Sequence, residues 1–228
     1  MLKENRLSPA EFIYPMFVTN GSGIRNPIKP MPGIDQISVD IAVEEAQRAF
    51  EVGVKAVLIF GLPDEKDALG SSASDPTEAV QSAITEIKLG SPDTYVITDV
   101  CLCEYTDHGH CGIIKDEDLD SEATLPLLAK TAVSHVRAGA DMVAPSAMID
   151  GQVAIIRSEL NEKGFNDVPI MGYSAKYTSA FYGPFRIAAE SAPKFGDRGS
   201  YQMGFTQSSE AIREIQSDIE EGADIVMV

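Results

Sequence analysis

The sequence predicts an α/β protein of the (β/α)8, TIM-type barrel class, and three observations carry that prediction. An amphipathic helix, a glycine and a short apolar strand recur in that order along the chain. No G-x-G-x-x-G opens a helix after the first strand, which removes the best support for a doubly wound dinucleotide fold. The residues able to do chemistry fall at the C-terminal ends of predicted strands, where a barrel keeps its active site.

The elements follow in order. A first strand reads as Phe12-Ile-Tyr-Pro-Met-Phe-Val18, with Pro15 weakening it, since proline cannot donate to a ladder. A helix from about Asp40 to Glu51 leads to Gly53-Val-Lys-Ala-Val-Leu-Ile-Phe60. Asp75-Pro-Thr-Glu78 offers an N-cap, a proline at N1 and a glutamate at N3 for a helix over Ala79 to Ile87. The strand Tyr95-Val-Ile-Thr-Asp-Val100 comes next, then a helix from Ser121 to Ala138 and the strand Gly139-Ala-Asp-Met-Val-Ala-Pro-Ser146. Beyond it lie a helix over Gly151 to Lys163, the strand Val168-Pro-Ile-Met-Gly-Tyr173, and helices over Tyr182 to Glu190 and Ser209 to Glu221. The last segment, Gly222-Ala-Asp-Ile-Val-Met-Val228, is again strand-like. Gly53, Gly139 and Gly222 each stand where a helix C-terminus needs a left-handed residue. Near-continuous apolar strands separated by helices imply a parallel sheet covered on both faces.

Composition narrows the function. The 228 residues are 44% hydrophobic and 23% charged, without Trp, which fits one domain over 1–228. The net charge of -17, from 35 acidic against 18 basic residues, repels nucleic acid and anionic lipid, so neither is expected as a partner. With neither an apolar leader nor a spanning segment in the sequence, a cytoplasmic location is expected. Three cysteines in such a compartment argue against a disulfide framework.

Those cysteines sit together in Asp99-Val-Cys-Leu-Cys-Glu-Tyr-Thr-Asp-His-Gly-His-Cys-Gly112, directly after a predicted strand. A loop folding back would bring Cys101, Cys103 and Cys111 to one ion. Three sulfurs leave one tetrahedral position open, as a working zinc requires. The competing reading is three reduced cysteines packed in a core. Lys176 lies in Tyr173-Ser-Ala-Lys-Tyr, an apolar and aromatic setting, where a lysine acquires a lowered pKa and serves as a Schiff-base nucleophile. A solvated surface lysine is the alternative.

Asp99-Val-Cys-Leu-Cys with His108-Gly-His-Cys-Gly112, Val143-Ala-Pro-Ser146 with Asp150-Gly151, Tyr173-Ser-Ala-Lys-Tyr, Phe181-Tyr-Gly-Pro-Phe-Arg186 and Phe195-Gly-Asp-Arg198 together resemble the porphobilinogen synthase (5-aminolevulinate dehydratase) family. The resemblance implies a barrel with an N-terminal arm, here residues 1–12, and homo-oligomers up to octamers. It also implies the condensation of two 5-aminolevulinate molecules into porphobilinogen in tetrapyrrole biosynthesis. Cys101, Cys103 and Cys111 then resemble zinc ligands, and Asp99 the acid where the substrates join. Lys176 resembles the lysine of the A-side substrate, and Arg186 and Arg198 the pair that grips its carboxylate, a task suited to guanidinium forks. Gln202 lies on the same lid-like stretch, and Ser146 is carried over as a substrate contact. Glu210 resembles the carboxylate that receives an allosteric magnesium, and equally reads as a first-turn glutamate on an exposed helix. Ala147 stands where members often carry an acid.

The family's principal imine-forming lysine follows the sixth strand in a Lys-Pro motif, and the sequence reaches only Val228. The 228 residues alone are therefore expected to lack two strands, to leave Ile225 to Val228 as an open apolar edge, and to be inactive. A non-catalytic metal-binding or assembly subunit is the alternative, as is a class I aldolase-type enzyme, which the cysteine triplet disfavours.

Overall fold

The computed structural model describes residues 7–228; residues 1–6 of the expected N-terminal arm lie outside the described residues. The chain runs β1 (Ile13–Thr19), β2 (Arg25–Pro27), β3 (Asp35–Ser38), α1 (Val39–Glu51), β4 (Ala56–Leu62), α2 (Ala79–Gly90), β5 (Tyr95–Val100), β6 (Ile114–Lys115), β7 (Asp118–Leu119) and α3 (Ser121–Ala138). It continues through β8 (Met142–Pro145), α4 (Gln152–Glu162), β9 (Met171–Gly172), α5 (Tyr182–Ala188), α6 (Ser208–Glu221) and β10 (Ile225–Val226). Every strand and helix expected from the sequence is present.

The main sheet has the order β2-β3-β1-β4-β5-β8. From β1 onward its strands β1, β4, β5 and β8 pair in parallel in chain order, and a bridge from Val143 to Ile170 carries the arc on to the parallel pair β9 and β10. This is an α/β wall wound in barrel order, and the described strands form an arc. Pro15 is tolerated because β3 joins β1 only from Phe17 onward, so the missing N–H falls where β1 has β4 alone as partner.

Side chains alternate across this wall with a period of two. Met16, Val18, Val57, Ile59 and Val96 face the helices and pack with Ala42, Ala46, Ala83, Ile84 and Ile87. Phe17, Leu58, Phe60, Ile97, Met142, Ala144 and Met171 face inward. The alternation decides what β5 presents. Thr98 points out to α3, while Asp99, one residue on, follows Ile97 into the interior.

Gly53, Gly139 and Gly222 have φ of 95°, 111° and 104°, the left-handed conformation the sequence required of them. One expected cap is different. Asp75 does not cap α2, which starts at Ala79; its carboxylate instead accepts from the Thr77 N–H and hydroxyl at 2.8 and 2.6 Å, closing a turn of its own. Asp is suited to that turn, and four residues of it precede the helix. β10 is paired with β9 on one side, and Met227 packs into the inner cluster.

Candidate active site at the strand ends

The cysteine loop folds back because Thr106 donates its hydroxyl to the His110 carbonyl at 2.8 Å and Thr124 accepts from the Ile113 N–H at 2.9 Å. Gly109, at φ 75°, makes the reversal. The result brings the sulfurs of Cys101, Cys103 and Cys111 within 4.8 Å of one another, with all three side chains buried. The Cys101 and Cys103 sulfurs are 3.4 Å apart. A tetrahedral zinc with Zn–S bonds of about 2.3 Å puts its sulfurs roughly 3.8 Å apart, so the trio fits that ion with little adjustment. Burial raises the Cys101 thiol well above its ordinary value, whereas hydrogen bonds from Cys101 and Cys103 hold Cys111 well below it. The cluster stabilises a thiolate, the form a metal binds.

Asp99 is buried beside this cluster, and burial, reinforced by the charge of Glu104, holds its carboxyl well above the usual range. Its Oδ1 has no partner. Ser146 lies between the two sides of the site: its side chain works against the rise at Asp99, and its carbonyl accepts from Lys176 Nζ at 2.9 Å. Lys176 is buried, 5.4 and 5.6 Å from the ring centres of Tyr173 and Tyr182. The expected lowering of its pKa is not found. Burial does push it down, but the charges of Cys111, Cys101, Cys103 and Asp99 together outweigh that and hold it above its ordinary value. The sequence reading counted the lysine's neighbours in the chain, whereas its field comes from residues more than sixty positions away. A dication among the sulfurs would cancel most of that field.

Arg198 is only 2% exposed, and its Nη2 donates to the carbonyls of Gly109, at 3.0 Å, and Ser191. Gln202 is buried with its amide oxygen free. Arg186 stands on α5 with Nε unpartnered. Phe185, next to it, packs on Phe17 and Phe60 at ring distances of 5.8 and 5.0 Å.

Glu210 is in a different place. It lines a cavity of about 660 Å³ beside the strand ends, together with Asp150, Glu214, Asp218, Glu221, Tyr201 and Gln202. Its Oε2 is buried without a partner. Burial raises Glu214 and Asp218, as clustered carboxylates require. The structure therefore assembles the cysteines, Asp99, Ser146, Lys176 and Arg198 in one site and sets Glu210 in a neighbouring acidic chamber. Sequence reasoning passed over Glu104, a buried carboxylate 3.3 Å from the Cys103 sulfur and pushed up to about 8 by burial and by that sulfur. It also missed the acidic stripe Glu210, Glu214, Asp218 and Glu221, whose helical spacing was there to be read.

A sequence profile described as delta-aminolevulinic acid dehydratase matches residues 1–228. The chain belongs to that family. It is 50% identical over 228 residues to the delta-aminolevulinic acid dehydratase of Bacillus subtilis, covering all of this chain and 70% of that one. The dehydratase of Methanothermus sociabilis is 53% identical over 228 residues, again with the whole chain and 71% of the relative covered. The crystal structure of delta-aminolevulinic acid dehydratase (porphobilinogen synthase) from Toxoplasma gondii ME49, in complex with the product porphobilinogen, superposes with a TM-score of 0.96 at 38% identity. That match covers 100% of this chain and 66% of the other. Family membership makes the activity that of a porphobilinogen synthase, a lyase.

Proposed function

We propose that the strand-end site is where two 5-aminolevulinate molecules lose two waters and become porphobilinogen, with this chain's residues handling the A-side substrate. The observation that carries the reading is the burial of three mutually adjacent sulfurs beside Asp99, Ser146 and Lys176. Arg198 and Arg186 supply guanidinium forks for the substrate carboxylate, and Gln202 an uncommitted amide. Lys176 must shed a proton before its nitrogen can attack a ketone. Asp99 takes that proton in its ionised form, which the Lys176 charge favours and whose raised pKa makes it a stronger base than an ordinary carboxylate, and imine formation then releases one water. Cys101, Cys103 and Cys111 would hold a zinc, which when bound supplies a Lewis acid for carbonyl oxygen or departing hydroxide. Glu210, with its unpartnered buried oxygen and acidic neighbours, is suited to a magnesium ion.

The remaining features belong to the same reading. A single (β/α)8 domain over 1–228 with an arm at 1–12 is supported by the sequential parallel strand order. Homo-oligomers, up to octamers, are supported by the exposed apolar side chains of Leu7 and Phe12 on the arm. A cytoplasmic location is compatible with reduced cysteines, and among the described residues no helix is long and apolar enough to cross a membrane. The test, on a protein extended through the sixth strand's Lys-Pro and the remaining strands, is a condensation assay for porphobilinogen joined to metal analysis. About one zinc per chain, lost in Cys103→Ala together with turnover, is the expected result. Equal zinc in the variant overturns the metal assignment, and turnover in Lys176→Ala removes that lysine from the reaction.

A further inference from the structure

His110 spends its whole side chain on a distant segment. Nε2 lies 3.0 Å from the Phe195 carbonyl and Nδ1 lies 3.1 Å from the Tyr201 hydroxyl. A carbonyl only accepts, so Nε2 carries the hydrogen and Nδ1 receives the Tyr201 O–H, which fixes the tautomer. The ring is 4% exposed and packs 4.7 Å from Phe195. Around it the cysteine loop and the 191–202 segment are joined again and again: the Lys194 N–H donates to the His108 carbonyl at 3.0 Å, and Arg198 donates to the Gly109 carbonyl. Gly109 is required for this approach, since a Cβ there would meet the backbone of Ala192. Tyr201 also reaches Cys111, and its own neighbours Arg198 and Gln202 form a single turn in which the Gln202 N–H donates to the Arg198 carbonyl at 2.8 Å.

We propose that His110 is a positioning residue, a latch that ties the turn bearing Arg198 and Gln202 to the loop bearing Cys111. The inference rests on reading Arg198 and Gln202 as substrate contacts and on the loop as a metal site. Ordering of the cysteine loop then orders the carboxylate grip, although His110 touches neither substrate nor metal.

Hydrogen exchange on the protein extended through the sixth strand's Lys-Pro and the remaining strands tests it. In His110→Ala, without substrate, amides of residues 195–202 should exchange about tenfold faster, the fold-change expected from losing one buried latch. KM for 5-aminolevulinate should rise by a similar factor with kcat changed less than about threefold, at an unchanged one zinc per chain. His110→Gln, which retains a donor and an acceptor, should recover most of the protection. Tyr201→Phe removes the latch from the other side and covers the case in which His110→Ala does not fold. Unchanged exchange in both variants overturns the proposal, and so does loss of zinc alongside faster exchange, which would assign His110 to the metal loop itself. Because exchange is read without substrate, a wild-type protein with no affinity for 5-aminolevulinate would overturn the substrate reading while the exchange result still decides the latch.

Discussion

Thr98 and Asp99 are neighbours on one strand, yet they serve opposite sides of the wall. Thr98 faces α3, where its hydroxyl meets His135 Nδ1 at 3.0 Å and the other imidazole nitrogen is left without a partner. Asp99 faces the interior, where one carboxylate oxygen is also unpartnered. Burial acts on both with opposite results. It lowers His135 to about 3 and raises the Asp99 carboxyl, each toward its uncharged form, and only at Asp99 does a facing cation, Lys176, pull the other way. An orphaned polar atom sealed behind the sheet is a standing cost to stability. The same atom at the open end of the strands is a place for a ligand.

The comparison predicts that changes on the inner side destroy activity and spare stability. In the protein extended through the remaining strands, Lys176→Ala and Cys103→Ala should each lower porphobilinogen formation by about a thousandfold or more, with thermal unfolding shifted by only a few degrees. A collapse of the fold in both would place these residues with the structural set. Arg198→Lys comes next, since an ammonium cannot reproduce a fork that already serves two carbonyls. KM for 5-aminolevulinate should rise about a hundredfold; an unchanged KM would separate Arg198 from the substrate.

On the outer side the readout is pH. His135 has a folded pKa of about 3 against an ordinary 6.5, so between those values the unfolded chain binds the extra proton and stability falls as pH falls. Between pH 7 and 5 this amounts to about 2 kcal/mol, at about 1.4 kcal/mol per unit below 6.5. Urea unfolding of His135→Leu should show a correspondingly flatter pH dependence than the parent. Equal slopes would mean that another group sets the acid limb. The smallest effect is expected in the acidic chamber. Glu210→Gln should remove any activation by added magnesium, worth about twofold to tenfold, and leave the zinc-dependent rate in place; activation that persists would return Glu210 to an ordinary helix-end glutamate.

Much of this was legible in the chain because the signals are local. After α1, α3 and α6 a left-handed glycine, Gly53, Gly139 or Gly222, marks the strand that follows. The hairpin of β2 and β3 was not legible, because its residues are polar and Arg25 is held by Glu45, twenty positions on. Glu104 was passed over because a glutamate is by type a surface residue, and only the folded loop shows it sealed against Cys103. The charge state of Lys176 failed for the same reason: its aromatic neighbours in sequence were read correctly, but the sulfurs that set its field arrive from another strand.

The aromatic packing beneath α5 has a kinetic meaning. Phe185 is wedged against Phe17 and Phe60, two rings that stack on each other at 5.2 Å on adjacent strands of the wall, so Arg186 stands on a rigid mount. Arg198 hangs from a turn held by hydrogen bonds between two loops. On the proposed reading, a carboxylate gripped by both would be held between a fixed jaw and a hinged one, with its escape rate set by the hinge.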